Sequence, residues 1–255
     1  MTIWCISDIH GHAEQLQRAL AIVDLESNSD DRLILLGDYI DRGRESLDVL
    51  ADIRKLQQEY PERIIALAGN HDRWMLDWLD GDDDELTWLM SDLDLVTVKS
   101  FLTPLELAHA LGHEDPESDA SMLDGPTMNR NIKNAVRDKH RDLIGWVRRL
   151  PLLFETDEYV FVHAGVDESA GGLWKAATPD HVLYEKFPAT TGPMRIGKRI
   201  VAGHVRTEML HGDPDKHGVF ADDGHIYIDG SVEVTGRLNL LRINDDGSWS
   251  ETSVG

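Results

Sequence analysis

The sequence predicts an α/β fold of layered strands and helices, and three observations predict it. Short apolar runs of strand length alternate with helix-spaced apolar patterns through the first third of the chain. Strand-like runs return in the last third, and between them lies a helical insertion around residues 80–150. Strands alternating with helices are the signature of a layered α/β architecture. The chain has 255 residues, enough for one domain with a substantial core, and no internal repeat or low-complexity linker divides it. A single domain over 1–255 is therefore expected.

The elements follow in order. Ile3 to Ile6 is a strand ending on Ser7-Asp8-Ile9-His10-Gly11-His12, and Leu16, Leu20 and Val23 then recur at helical spacing. Arg32 to Leu36 is the second strand. It runs into Gly37-Asp38-Tyr39-Ile40-Asp41-Arg42-Gly43, after which Leu47, Leu50 and Ile53 share one helix face. Ile64 to Ala68 ends on Gly69-Asn70-His71-Asp72 before a helical stretch through Trp74 and Trp78. Asp80 to Glu85 (DGDDDE) lacks the glycine that a calcium loop requires and reads as a solvated acidic turn. Residues 113–130 are rich in turn formers and predict an exposed loop. Arg130 to Arg149 carries seven Lys/Arg, either a helix with a solvated face or a rim that attracts acidic substrates. Tyr159 to Val162 ends on His163-Ala164-Gly165, and Arg199 to Ala202 on Gly203-His204. His225 to Ile228 ends on Asp229-Gly230, and Leu238 to Ile243 precedes an Asp-Gly turn.

Composition narrows the function classes. Lys+Arg number 25 against 47 Asp+Glu, a net charge of −22, which argues against nucleic acid or an anionic membrane as partner. No apolar run reaches the roughly 18 residues of a membrane span, and the first residues lack the basic segment of a signal peptide. With Cys5 alone there is no internal disulfide, so a cytoplasmic location is expected.

Five strand ends deliver polar groups of one chemical kind: Asp8 with His10, Asp38 with Asp41 and Arg42, Asn70 with His71, His163, and His204. Ligands in layered α/β folds bind at the carboxyl ends of strands, so these groups can converge. Carboxylate with imidazole suits manganese, iron or zinc, and the absence of thiolates argues against a structural zinc site. Two cations roughly 3.5–4 Å apart share an oxygen ligand, which one carboxylate can supply.

Asp8-x-His10-Gly, Gly37-Asp38-x-x-Asp41-Arg42-Gly43 and Gly69-Asn70-His71-Asp72, followed by His163 and Gly203-His204, resemble the calcineurin-like metallophosphoesterases. The Asp-Arg-Gly form is similar to the phosphoprotein phosphatase branch, including small bacterial and phage serine/threonine phosphatases. The resemblance implies a layered β-sandwich core flanked by helices and two divalent cations, manganese first, with iron, zinc, nickel or magnesium as alternatives. It implies that Asp8 and His10 hold one cation, that Asp38 bridges both, and that Asn70, His163 and His204 complete the second. It further implies in-line attack by a metal-bridging hydroxide, with His71 as general acid, Asp41 orienting His71 and Arg42 gripping phosphate.

The function so implied is hydrolysis of phosphomonoesters on serine, threonine or tyrosine of proteins, or of a small phosphoester. The related symmetrical dinucleoside tetraphosphate hydrolases are the alternative. They commonly carry another residue where Asp41 stands, so Asp41-Arg42 favours the phosphatase branch. Two departures bear on substrate choice. Val205-Arg206 stands where the family often has Thr-Pro, and a second phosphate-binding arginine could be Arg195, Arg199, Arg206 or none of them.

Overall fold

The computed structural model describes residues 1–23, 25–26, 29–113 and 123–255. Two five-stranded sheets lie face to face with helices against their outer faces. Strands are β1 (Ile3–Ile6), β2 (Arg32–Leu35), β3 (Ile64–Ala66), β4 (Leu153–Glu155), β5 (Tyr159–Val162), β6 (Arg199–Ala202), β7 (Phe220–Ala221), β8 (His225–Tyr227), β9 (Leu238–Ile243) and β10 (Trp249–Val254). The first sheet has the order β10-β9-β1-β2-β3 and the second β4-β5-β6-β8-β7. Each has a parallel centre (β1, β2, β3 in one; β5, β6, β8 in the other) with antiparallel strands beyond it. Parallel neighbours place their carboxyl ends side by side, and that brings the five polar strand ends to one rim.

The period-2 alternation of the strands builds the layers. Ile3 and Cys5 of β1, Ile34 and Leu36 at β2, Phe161, Val201 and Ile226 pack together between the sheets. Their sequence neighbours turn outward. Ile6, Leu33 and Leu35 meet the helices of the first half, and Val160, Val162, Ile200, Ala202 and Tyr227 meet Trp174, Leu183 and Ile196. Cys5 is fully buried here, and desolvation pushes its thiol pKa up, so it stays protonated and inert.

Helices α1 (Ala13–Val23), α2 (Ser46–Glu59) and α3 (Asn70–Asp80) follow β1, β2 and β3 as the apolar spacing predicts. Leu16 and Val23 of α1, and Leu50 and Ile53 of α2, are buried against the first sheet. The insertion is helical: α4 (Thr87–Ser91), α5 (Val96–Phe101), α6 (Pro104–Ala110), α7 (Gly125–Lys139) and α8 (Arg141–Val147). The loop expected at 113–130 is corrected at its end. Asp124 accepts from the amide of Thr127 at 2.8 Å and Pro126 stands in the first turn, so α7 begins at Gly125. Residues 114–122 of that expected loop lie outside the described residues.

The helices over 130–149 have the solvated face that the sequence offers as one of two readings. Arg130, Lys139, Arg141, Arg148 and Arg149 are exposed, and Lys133 is the one basic residue of the stretch that is buried. Its Nζ donates to the carbonyls of Gly81 (3.0 Å) and Asp82 (2.8 Å). Arg148 donates to Asp80 (Nη2 to Oδ1 2.6 Å), Lys139 to Glu106 (2.5 Å), and Arg130 lies 3.6 Å from Asp83. Lys133, Arg148 and Arg130 therefore fasten the insertion to the end of α3 and the acidic turn that follows it. Among the described residues no helix is long and apolar enough to cross a membrane.

Candidate active site

Each site residue stands just beyond a strand end, in backbone geometry chosen to turn its side chain inward. Among the described residues, nine other than glycine have positive φ, and six of them are Asp8, His10, Asp38, Asp41, Arg42 and His204. Such left-handed backbone costs on the order of 1 kcal/mol or more per residue, so its concentration here marks a place where aim outweighs local comfort. Two glycines allow the turns to touch. A Cβ on Gly69 would strike the Asp38 carboxylate, and one on Gly203 would strike Ser7 and Asp8.

The imidazoles are held by their far nitrogens. His10 Nδ1 donates to the Ile40 carbonyl at 2.8 Å, and His163 Nδ1 to that of Leu36 at 2.9 Å, so both present Nε2 inward. His10 Nε2 lies 3.6 Å from Asp38 Oδ2, and His163 Nε2 lies 3.4 Å from Asp38 Oδ1. The amide oxygen of Asn70 is 2.9 Å from both His163 Nε2 and His204 Nδ1. Donor atoms of His10, Asp38 and His71, and again of Asp38, His163 and His204, lie within 4.8 Å of one another. Two groups sharing Asp38 thus could each hold a cation. Asp8 differs from the other expected ligands: its carboxylate accepts from Ser7 Oγ and from the His204 amide (3.1 Å), and His71 rather than Asp8 closes the first group.

The electrostatics suit cations. Burial raises Asp8 to about 6, with His163 lowering it and Asp38 raising it. Burial alone would raise Asp38 as well, but His163, His71 and His10 around it hold it well below the usual carboxylate range. His163 is pulled down by burial yet lifted to about 9 by Asp38, which makes its Nε2 a position where a metal ion and a proton compete. His204 falls to about 4 through burial and the neighbouring His163. Buried carboxylate, imidazole and amide oxygen facing one another form a donor set that fits two divalent ions.

Beside the cluster, His71 Nδ1 donates to Asp41 Oδ2 at 2.6 Å and its Nε2 faces the cleft, 4.0 Å from Asp38 Oδ2. Burial lowers the His71 pKa, but the charges of Asp38 and Asp41 and the bond to Asp41 leave it raised overall. Arg42 reaches to 3.4 Å from His71 Nε2 through Nη2, while its Nη1 donates to Glu233 Oε1 at 2.6 Å. Residues 1–226 match the family model of the calcineurin-like phosphoesterases. The chain belongs to the calcineurin-like phosphoesterases.

Relatives of known name divide over substrate. A curated protein from Nitrosococcus oceani, named bis(5'-nucleosyl)-tetraphosphatase, symmetrical, is 27% identical over 195 residues, covering 76% of this chain and 52% of that protein. The chain spans about half the length of the curated relatives of this name. A solved structure of a candidate diadenosine tetraphosphatase superposes with TM-score 0.59 at 17% identity, over 100% of this chain and 94% of that one. A cold-active protein tyrosine phosphatase does so with TM-score 0.54 at 17% identity, over 98% and 78%. At such identity these two show a shared fold.

Several residues at the site carry no role in the sequence reading. Asp72, the last residue of its motif, is fully buried. It accepts from the amides of Gly69 (2.9 Å), Asp38 (3.0 Å) and Tyr39 (3.1 Å), clasping the second and third loops together. Asp41 is held from the insertion, by Thr97 Oγ1 of α5 at 2.7 Å and Trp88 Nε1 of α4 at 3.3 Å. No spacing pattern in the chain announces contacts 47 and 56 residues apart. Among the candidate arginines, Arg199 opens β6 at the far end and donates to the Asp222 carbonyl, and Arg195 is exposed. Arg206 instead joins Arg42 at Glu233.

Proposed function

We propose that the chain hydrolyses a dinucleoside polyphosphate, with Asp8, His10, Asp38, Asn70, His163 and His204 holding two divalent cations. The observation that carries this reading is the shared name of the curated relatives, symmetrical bis(5'-nucleosyl)-tetraphosphatase. The surroundings of His71 support it. A cavity of about 380 Å³ lined by Trp74, Trp78 and Trp88 adjoins the site, and the Trp74 ring lies 4.9 Å from that of His71. Of the three, Trp78 and Trp88 pack on each other, and the exposed Trp74 offers a flat ring that suits a nucleobase. The bound cations would stabilise charge on the phosphoryl oxygens and acidify the attacking water. Arg42 would orient the phosphoryl group through its planar fork, and His71 would deliver a proton to the departing oxygen from Nε2.

A second reading, hydrolysis of phosphomonoesters on serine, threonine or tyrosine, is favoured by the 2.6 Å bond between Asp41 and His71. A serine or threonine alkoxide is a poor leaving group and needs a general acid, whereas a departing nucleoside diphosphate needs little help.

Turnover of diadenosine tetraphosphate and of phosphoserine and phosphotyrosine peptides with Mn²⁺ separates the two. The first reading expects the higher kcat/KM on the dinucleotide and only a mild loss with His71→Asn. Faster turnover of a phosphopeptide, with a loss of roughly 10²–10⁴ in His71→Asn, would establish the second reading in its place.

A further inference from the structure

Arg42 and Arg206 leave different loops, after β2 and β6, yet both donate to one oxygen, Oε1 of Glu233. Glu233 belongs to a third loop, on the single helical turn Val232–Thr235 that follows β8. Its side chain is 13% exposed, and its other oxygen, Oε2, is buried with no hydrogen-bond partner among the described residues. Each guanidinium therefore gives a single nitrogen to a shared oxygen, and neither makes the two-point fork that a planar guanidinium forms with an oxyanion. The other terminal nitrogen of Arg42 lies 3.4 Å from His71 Nε2, so the shared oxygen sits one side chain away from the proposed proton donor.

We propose that Glu233 is a specificity-determining residue whose carboxylate stands where a substrate phosphate oxygen binds, between Arg42 and Arg206. This rests on the phosphate-gripping role of Arg42 proposed above. A phosphate that enters must displace the carboxylate, which selects by charge and oxygen count. A dianionic phosphate or a polyphosphate chain offers several oxygens to the two forks and outcompetes a carboxylate held through one oxygen. A phosphodiester with a single negative charge has no such advantage. After cleavage the carboxylate returns to the arginines and helps to release the phosphate-bearing product.

The test is inorganic phosphate binding to the Mn²⁺-loaded protein, by calorimetry and as inhibition of turnover, for the wild type and Glu233→Gln. Removing the competing charge should tighten phosphate about tenfold, equivalent to about 1.4 kcal/mol, and lower KM in parallel. Arg206→Ala should erase that gain in the Glu233→Gln background. Phosphate affinity unchanged within about twofold, or weakened, would mean that Glu233 only props the arginines in place, and would overturn the proposal. Should Glu233→Gln fail to fold, Glu233→Asp serves. It keeps the charge but retracts the oxygen, so phosphate should tighten by a smaller factor, and weaker phosphate binding would count against competition. Calorimetry needs no turnover. Inactivity on diadenosine tetraphosphate would therefore remove the substrate reading and leave this one to stand or fall on phosphate affinity.

Discussion

His225 shows how one buried side chain can make stability depend on pH. It opens β8 with 1% exposure; its Nε2 lies 2.8 Å from Glu168 and its Nδ1 3.1 Å from Asp222. Burial pulls the imidazole pKa down, but Glu168 and Asp222 raise it overall, while both carboxylates are held below their ordinary values. A raised folded pKa means the imidazolium stabilises the fold fully below about pH 6.5, and that contribution fades as pH climbs through the raised value. The carboxylates contribute above their unfolded pKa values and fade as pH falls through the lowered ones. Replacing His225 by Gln should therefore cost about 3 kcal/mol near pH 6, where a buried carboxylate loses its partner, and less near pH 9. Melting curves of both proteins at the two pH values check it; equal losses at both would contradict the ion-pair account. The left-handed residues at the site express the same scale differently, since there the backbone accepts strain to aim six side chains.

Helices α4 and α5 give the insertion a task at the level of elements. Thr97 and Trp88 both donate to Asp41, whose carboxylate in turn accepts from His71, so the insertion fixes the proposed proton donor from behind. Thr97→Val removes one hydrogen bond to a charged group, worth about 1.5–3 kcal/mol, and should lower kcat about tenfold on a substrate with a poor leaving group. Because Asp41 would hold His71 less firmly, the alkaline limb of the pH–rate profile should move to lower pH, and Thr97→Ser should restore it. A variant whose kcat falls with an unmoved profile would point to general loosening instead. At the other end of α3, buried Lys133 satisfies two carbonyls just past the last turn, where the helix dipole also favours a cation. Lys133→Met should destabilise the protein by about 1–3 kcal/mol in denaturant unfolding, with m unchanged.

For the molecule as a whole, charge dominates. A net charge of −22 opposes compactness through self-repulsion. Raising ionic strength from about 0.01 to 0.15 M shortens the screening length from roughly 30 to 8 Å, so the melting midpoint should rise by several degrees. A midpoint that fell would show that attractive pairs, such as Arg148 with Asp80, outweigh the repulsion.

Much of this could be read along the chain, because the informative patterns are local. β1, β5, β6 and β9 have the ends expected from their apolar runs, since alternation and a following polar turn lie within one stretch of residues. β4, β7 and β10 are not foreseen: they are edge strands, β4 and β7 only three and two residues long and β10 largely polar and exposed, and only pairing makes them strands. The candidate site residues stand out in the sequence because carboxylates, imidazoles and an amide cluster there in tight turns, where sequence neighbours are also spatial ones. Which group lies beside which was decided by the tertiary structure. Asp72 clasping two loops, Thr97 and Trp88 behind Asp41, and Glu233 between Arg42 and Arg206 join residues 27 to 191 positions apart. Sheet order and helix packing set such contacts, and a spacing pattern has no term for either.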